Sequence, residues 1–285
     1  MLEEKPVYLN EIVVKAGSRG WKRNFEDFKK SFIGTTKNSR KTTIVNTEGL
    51  HLYLDPDTRI LVAHTLEPLV IENRALGYRI TCFLERFEFH KNEGTVFAFS
   101  IPKFEALKPK NIKELELWTA NRKAAYSGSI MHFFRALTKS ELHQNGFDIK
   151  MIYEVPDGNT VVDQKIEGFE SDSLLHRNLW STPGYIDSIG GGFVHGHELF
   201  EAGSSNKIQY KGKLAIRFQN ELEEPGYLLY ARKGKREMQT SKINFLEEGI
   251  VIYPNGSHKN AAEIMVEGYW SWSETMSDLL PLDYE

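Results

Sequence analysis

Between Pro68 and Phe104 the chain alternates apolar and polar residues over a longer run than anywhere else, and this pattern constrains the fold most. Tyr78, Ile80, Cys82 and Leu84 fall on one side, with Arg79, Thr81 and Glu85 on the other. A period of two marks a strand with one buried face. At Phe87 and Phe89 the apolar set moves to odd positions, leaving Arg86, Glu88 and His90 polar. A one-residue change of phase without a turn residue predicts a β-bulge near Glu85–Arg86. Lys91-Asn92-Glu93-Gly94 then predicts a hairpin loop, and Thr95 to Ile101 a return strand carrying Phe97, Phe99 and Ile101 on one face.

A second hairpin is expected over 50–65, with Leu50, Leu52 and Leu54 alternating, Asp55-Pro56-Asp57 turning, and Ile60 and Val62 returning. Trp21, Phe25, Phe28 and Phe32 are spaced for one face of a helix over 21–33, closed by Gly34. Asn111 is placed to cap a helix carrying Ile112, Leu115 and Trp118. After Tyr126-Ser127-Gly128-Ser129, a further helix puts Ile130, Phe133, Phe134 and Leu137 together, and Thr138 with Glu141 reads as a capping box for one short turn before Gly146. Phe147 to Val155 reads as a strand. From 156 to 205 the chain is rich in Gly, Ser, Asp and Asn and weakly periodic, a long loop-rich insertion. Ile208, Tyr210, Leu214, Ile216 and Phe218 then alternate with Gln209, Lys211, Lys213 and Arg217, predicting one half-buried strand. Strands over 227–232, 240–246, 250–253 and 264–267 continue a meander. The fold class read from this pattern is α+β: antiparallel hairpins and a meander, with helices at 21–33 and 111–144 packed on one side. Val7 to Ala16 is a strand-like run ahead of a single domain over 17–285.

With 40% hydrophobic and 26% charged residues over 285 positions, the chain has the makings of a substantial core. A net charge of -3 gives no general attraction to nucleic acid or membrane, and no apolar run is long enough to span a bilayer. Cys82 is the only cysteine, so no internal disulfide forms, and its strand position reads as a buried, inert thiol.

The candidate chemistry is sparse. Gly190-Gly191-Gly192-Phe193-Val194-His195-Gly196-His197-Glu198 offers two histidines that point the same way on an extended segment, with Glu198 as further ligand or base. That arrangement would suit a metal-dependent hydrolase if a third ligand, such as His176, joined it; a solvated polar loop is the simpler reading. Ser127 or Ser129 near His132 could form a nucleophile and base, although helix breaking and capping account for the same residues. Asp157-Gly158-Asn159 reads as a turn, since the other ligands of a calcium loop are missing. Between Lys15 and Lys41, nine Lys or Arg face only Glu26 and Asp27, a balance of +7 that could bind an anionic polymer through Lys22, Arg23 and Lys29. Trp270 and Trp272 are expected on one face of an extended segment, sealing the core or stacking on sugar rings. No residue is assigned a catalytic, cofactor or metal role from these patterns.

The segments YLNEIVVKA (8–16), WKRNFEDFKKSFIGTTKNSR (21–40), PLVIENRALGYRITCFLERFEF (68–89), NRKAAYSGSIMHFFRAL (121–137) and GYWSWSETMSDLLPLDY (268–284) resemble the Bacteroidetes-type envelope proteins called carboxypeptidase-like regulatory domain-containing proteins. The resemblance implies that 1–16 is the last strand and linker of a preceding β-sandwich, and that the protein is exported to the periplasm or cell envelope. The carboxypeptidase in the family name refers to a non-catalytic accessory domain, and no peptidase ligand pattern carries onto these residues. The function expected is therefore a non-enzymatic envelope module with no cofactor, binding a glycan, a peptide or another envelope protein, and the oligomeric state stays open.

Overall fold

The computed structural model describes residues 19–156, 185–259 and 263–285. The expected strand Val7 to Ala16, the turn at 157–159 and His176 lie outside them.

The first half of the chain forms a helix, α1 (Arg19–Phe32), and a six-stranded antiparallel sheet of β1 (Thr42–Ile44), β2 (Leu50–Leu54), β3 (Ile60–Thr65), β4 (Leu69–Asn73), β5 (Tyr78–His90) and β6 (Thr95–Ala106). The sheet is organised around β5. On one side β6 pairs with its whole length; on the other, β4 pairs with Tyr78–Cys82 and β3 with Glu88–His90. The bulge falls where the phase of the sequence changes: Leu84 faces Ser100, Arg86 faces Phe99, and Glu85 is the extra residue. It turns Phe87 inward after Ile80, Cys82 and Leu84, so one strand keeps a continuous buried face despite its change of parity. Against that face packs the aromatic stripe of α1, Trp21, Phe28 and Phe32, with Phe28 meeting Phe87 edge to face at 4.8 Å. Burial of side chains this large stabilises by roughly 1.5–3 kcal/mol each.

One detail of the 50–65 hairpin differs from expectation. Leu61 and Ala63 are buried, whereas Val62 faces out. Asp55 Oδ1 accepts the N–H groups of Asp57 and Thr58, and Arg59 takes a left-handed φ of 60°. The wider loop returns the strand one residue later than a tight turn at Asp55–Asp57 would.

The second half forms a five-stranded antiparallel sheet, in the order β13 (Ile264–Gly268), β11 (Met238–Phe245), β10 (Gly212–Leu222), β7 (Phe147–Pro156), β8 (Tyr185–Phe193). α3 (Ile130–Thr138) lays Phe133, Phe134 and Leu137 over Ile149, Leu214, Ile216, Phe218 and Ile243. α2 (Ile112–Tyr126) is capped by the Asn111 side chain, which accepts the Glu114 N–H. It docks on the first sheet through Trp118, whose Nε1 donates to Arg74 O at 2.9 Å. The short turn expected before Gly146 is present: Glu141 N–H closes back on Ala136 O, and Asn145 N–H then bonds Glu141 O at 3.0 Å.

Three other expectations give way here. The run 208–218 is two strands, β9 (Lys207–Ile208), which pairs with β12 (Ile250–Val251), and β10, broken at Gly212 with φ 132°. The expected strand over 227–232 is a helix, α4 (Pro225–Ala231), because Pro225 starts a helical turn and Arg232 ends it in the left-handed conformation. The tryptophans lie on a helical turn, α5 (Tyr269–Ser273), rather than an extended segment.

The polar face of the second sheet is also not solvated. Lys150, Lys213, Lys242 and Asp187 are all buried. Lys213 Nζ lies 2.7 Å from Glu154 Oε1 and 3.0 Å from Asp187 Oδ1, and Lys242 Nζ lies 2.8 Å from Asp187 Oδ2 and 3.4 Å from Glu267 Oε2. Two strands separate β8 from β11, roughly 14 Å in a flat sheet. The contact therefore needs a coiled sheet as well as the reach of the lysine, with Ala215 small enough at the centre to let it pass.

Residues 269–280 join the two halves. Trp270 packs into the core under α3, Trp272 against Tyr227, and Met276 and Leu280 into the core under α1. Both indoles are anchored: Trp270 Nε1 donates to Gly128 O and Trp272 Nε1 to Thr35 Oγ1. Being 3% exposed, they cannot stack on a ligand.

Candidate functional site

His195 and His197 are exposed and their rings lie near parallel, 5.8 Å apart between centroids. Glu198 does not reach between them: its Oε2 accepts the His195 N–H at 2.8 Å and closes the turn that follows β8. Among the described residues no group of three His, Cys, Asp or Glu side chains is arranged to hold a metal. The glycines ahead of them serve the sheet. Lys150 faces Phe193 and Ile152 faces Ile189, so Gly190-Gly191-Gly192 bulge out of β8. A Cβ at Gly190 would come within 2.2 Å of the Tyr153 ring.

The Ser127, Ser129 and His132 grouping resolves into capping. Ser129 Oγ accepts the His132 N–H at the start of α3. His132 Nδ1 accepts the Gly128 N–H at 3.1 Å, which leaves the proton on Nε2 to be donated to Asn145 Oδ1, also at 3.1 Å. Both ring nitrogens are committed, and burial holds the imidazole below its ordinary pKa. A neutral histidine with no free nitrogen cannot serve as a base for either serine.

The basic side of α1 is exposed at Lys22, Arg23 and Lys30. Its acidic residue Asp27 pairs with Lys91, and farther along Lys37 lies 3.7 Å from Glu224.

Two carboxyls that the sequence did not mark are half-buried where the halves meet. Glu274 Oε1 accepts the Ile130 N–H, the first of α3, at 3.1 Å. Burial pushes its pKa up to about 8. Asp278 accepts from Thr36 Oγ1 at 2.6 Å, Asn38 Nδ2 at 2.7 Å and Ser277 Oγ at 2.6 Å. Burial raises it too, against those three donors. The cavity they share, with Glu221, Glu224 and Lys37 at its rim, measures about 30 Å³. That is room for a water or two and not for an organic substrate. These carboxyls pin the 269–280 segment to the end of α1 and the start of α3.

The surface feature that stands out is the outer face of the β5–β6 hairpin. Phe83 faces Ile101 across the strands, and Phe99 follows on the same side opposite Arg86. They are 48%, 52% and 41% exposed, respectively. Arg86, Glu88 and Lys103 surround them with charge, and Arg86 Nε donates to Glu88 Oε1 at 3.0 Å. An apolar centre with a charged rim is the layout of a protein contact surface. The signal was present in the sequence as the aromatic return strand, since Phe97, Phe99 and Ile101 alternate with residues that are themselves on the core side.

Comparison of the chain with protein-family models, curated proteins and solved structures finds no match.

Proposed function

We propose that this chain is a non-enzymatic binding module of the cell envelope, and that it engages an apolar segment of another envelope protein through the outer face of the β5–β6 hairpin. The observation that carries the reading is the exposed cluster Phe83, Phe99 and Ile101, held on a rigid, long-paired hairpin. Isolated apolar residues on a surface need no explanation, but a contiguous aromatic group at the centre of a charged rim is costly to leave in water. The envelope location rests on the resemblance of the sequence segments. The lack of a catalytic site in this reading is supported by the committed nitrogens of His132, the capping role of Glu198 and the small size of the carboxyl-lined cavity.

The test is site-specific photo-crosslinking in cells, with a photoreactive side chain at Ile101 and, as control, at Leu229, which is 85% exposed on α4. The expected result is one discrete adduct at Ile101, absent at Leu229 and lost when Phe83→Asp is added. Equal crosslinking at both positions would sink the proposal.

A further inference from the structure

The hairpin has a second feature that its apolar face does not explain. Along its outer edge, β6 has no strand partner among the described residues. Leu107 N–H donates to Gly77 O at 2.9 Å, which fixes the hydrogen-bonding parity: odd-numbered residues of β6 turn their backbone groups to β5, and even-numbered ones turn theirs outward. β6 carries no inserted residue, so the parity holds through the bulge on β5. Val96, Ala98, Ser100 and Phe104 thus present free N–H and C=O groups, while Pro102 falls on an outward position and has no N–H to offer. From Thr95 to Ile101 the edge is uncharged and has neither Pro nor Gly, features that natural edge strands usually include to prevent pairing.

We infer that this edge pairs with a second copy of the chain, β6 against β6 in antiparallel register about a two-fold axis at Ala98. The register follows from the residues. With Ala98 opposite its own copy, Val96 of each chain faces Ser100 of the other, and these outward positions exchange their N–H and C=O groups. Lys103 then comes beside the loop of the second copy that carries Glu93. Their side chains are 70% and 61% exposed, and each copy supplies one of each. Moving the axis to Ser100 would set Pro102 opposite Ala98, losing a donor, and leave Lys103 facing an aromatic position. Moving it to Val96 would leave only Thr95–Phe97 of each copy paired strand to strand. An axis at Phe99 would set Pro102 opposite Val96, and one at Phe97 would bring Lys103 beside Lys91, so the Ala98 axis suits the backbone and the charges best, and a two-fold axis makes this contact self-complementary. The contact uses the backbone edge rather than the apolar face, so it stands whether or not that face binds a partner. It also joins Phe83, Phe99 and Ile101 of both copies on one side of a continuous sheet.

The experiment is sedimentation equilibrium on the purified protein and on four variants, with far-UV circular dichroism and melting as folding controls. Ala98→Pro removes only an outward N–H and leaves the β5 pairing intact, so it is expected to weaken the dimer at least ~10-fold. Lys103→Glu and Glu93→Lys are each expected to weaken it, the double exchange to restore it, and a mixture of the two single variants to form heterodimers. A protein that stays monomeric up to hundreds of micromolar would overturn the inference. So would a dimer indifferent to Ala98→Pro, or one whose charge variants show no restoration.

Discussion

Replacing Glu274 by Gln should stabilise the protein, and by an amount that grows with pH. The amide keeps an acceptor for the Ile130 N–H but cannot ionise. In the unfolded chain the carboxyl titrates near 4.5, whereas in the folded protein burial holds it to about 8. The folded state therefore keeps a proton that the unfolded state releases. Stability is greatest below pH 4.5, falls as pH rises toward 8, and is lower by a constant amount beyond it. That displacement corresponds to roughly 5 kcal/mol. The lowering by the Ile130 N–H at the start of α3 is already contained in that displacement, so the penalty stays at roughly 5 kcal/mol. For a chain of this size that is a rise in melting temperature of about 10–20 °C for Glu274→Gln at pH 9, shrinking to little at pH 4.5. Urea unfolding of both proteins from pH 4.5 to 9.5 measures it, and the difference between them isolates this one group. Parallel pH profiles would refute the reasoning. A variant less stable than wild type at pH 9 would mean instead that Glu274 is ionised and held by the helix terminus.

Further expectations follow from single anchors. Trp118→Ala removes the buried ring that holds α2 to the 74–77 turn, and should cost on the order of 3–5 kcal/mol with new protease cleavage between Leu107 and Tyr126. Gly77→Ala should be as disruptive despite its small size, because φ is +73° and a Cβ there would come within 2.2 Å of the same ring; melting curves report both. His132 should remain neutral with its proton on Nε2 as pH falls below 6.5, since burial holds its pKa down. Its contribution to stability is lost as pH falls from 6.5 through that lowered value, which nitrogen-15 spectra of the ring will follow directly; an imidazole that titrates no lower than an ordinary histidine would contradict the capping role.

Much of the first sheet was legible because period-two alternation survives a bulge: the change of phase at Glu85–Arg86 appears in the sequence as plainly as in the pairing of Leu84 and Arg86. Aromatic spacing gave α1, and Asn111 gave the start of α2. Local pattern failed where long-range contacts decide. Lys213 looks solvated in sequence, and only the pairing of β8 with β7 brings Asp187 within reach of it and of Lys242. Tyr227-Leu228-Leu229-Tyr230 has strand-like residues, but Pro225 and the packing of Tyr227 against Trp272 select a helix. Glu274 and Asp278 were invisible as a pair, because what unites them is donors from Thr36, Asn38 and Ile130, far away in the chain. The exposed face of the hairpin was half visible. Its aromatic residues could be read, but which side of β6 the core would cover could not.

We propose that the β5–β6 face, and not the histidine pair, carries the function. The most direct measurement is calorimetric binding of the crosslinked envelope partner, once purified, to wild type, to Phe83→Asp/Ile101→Asp and to His195→Ala/His197→Ala. Binding at least ~10-fold weaker is expected for the first variant, and unchanged affinity for the second. Loss of binding in the histidine variant, with the hairpin variant unaffected, would contradict it.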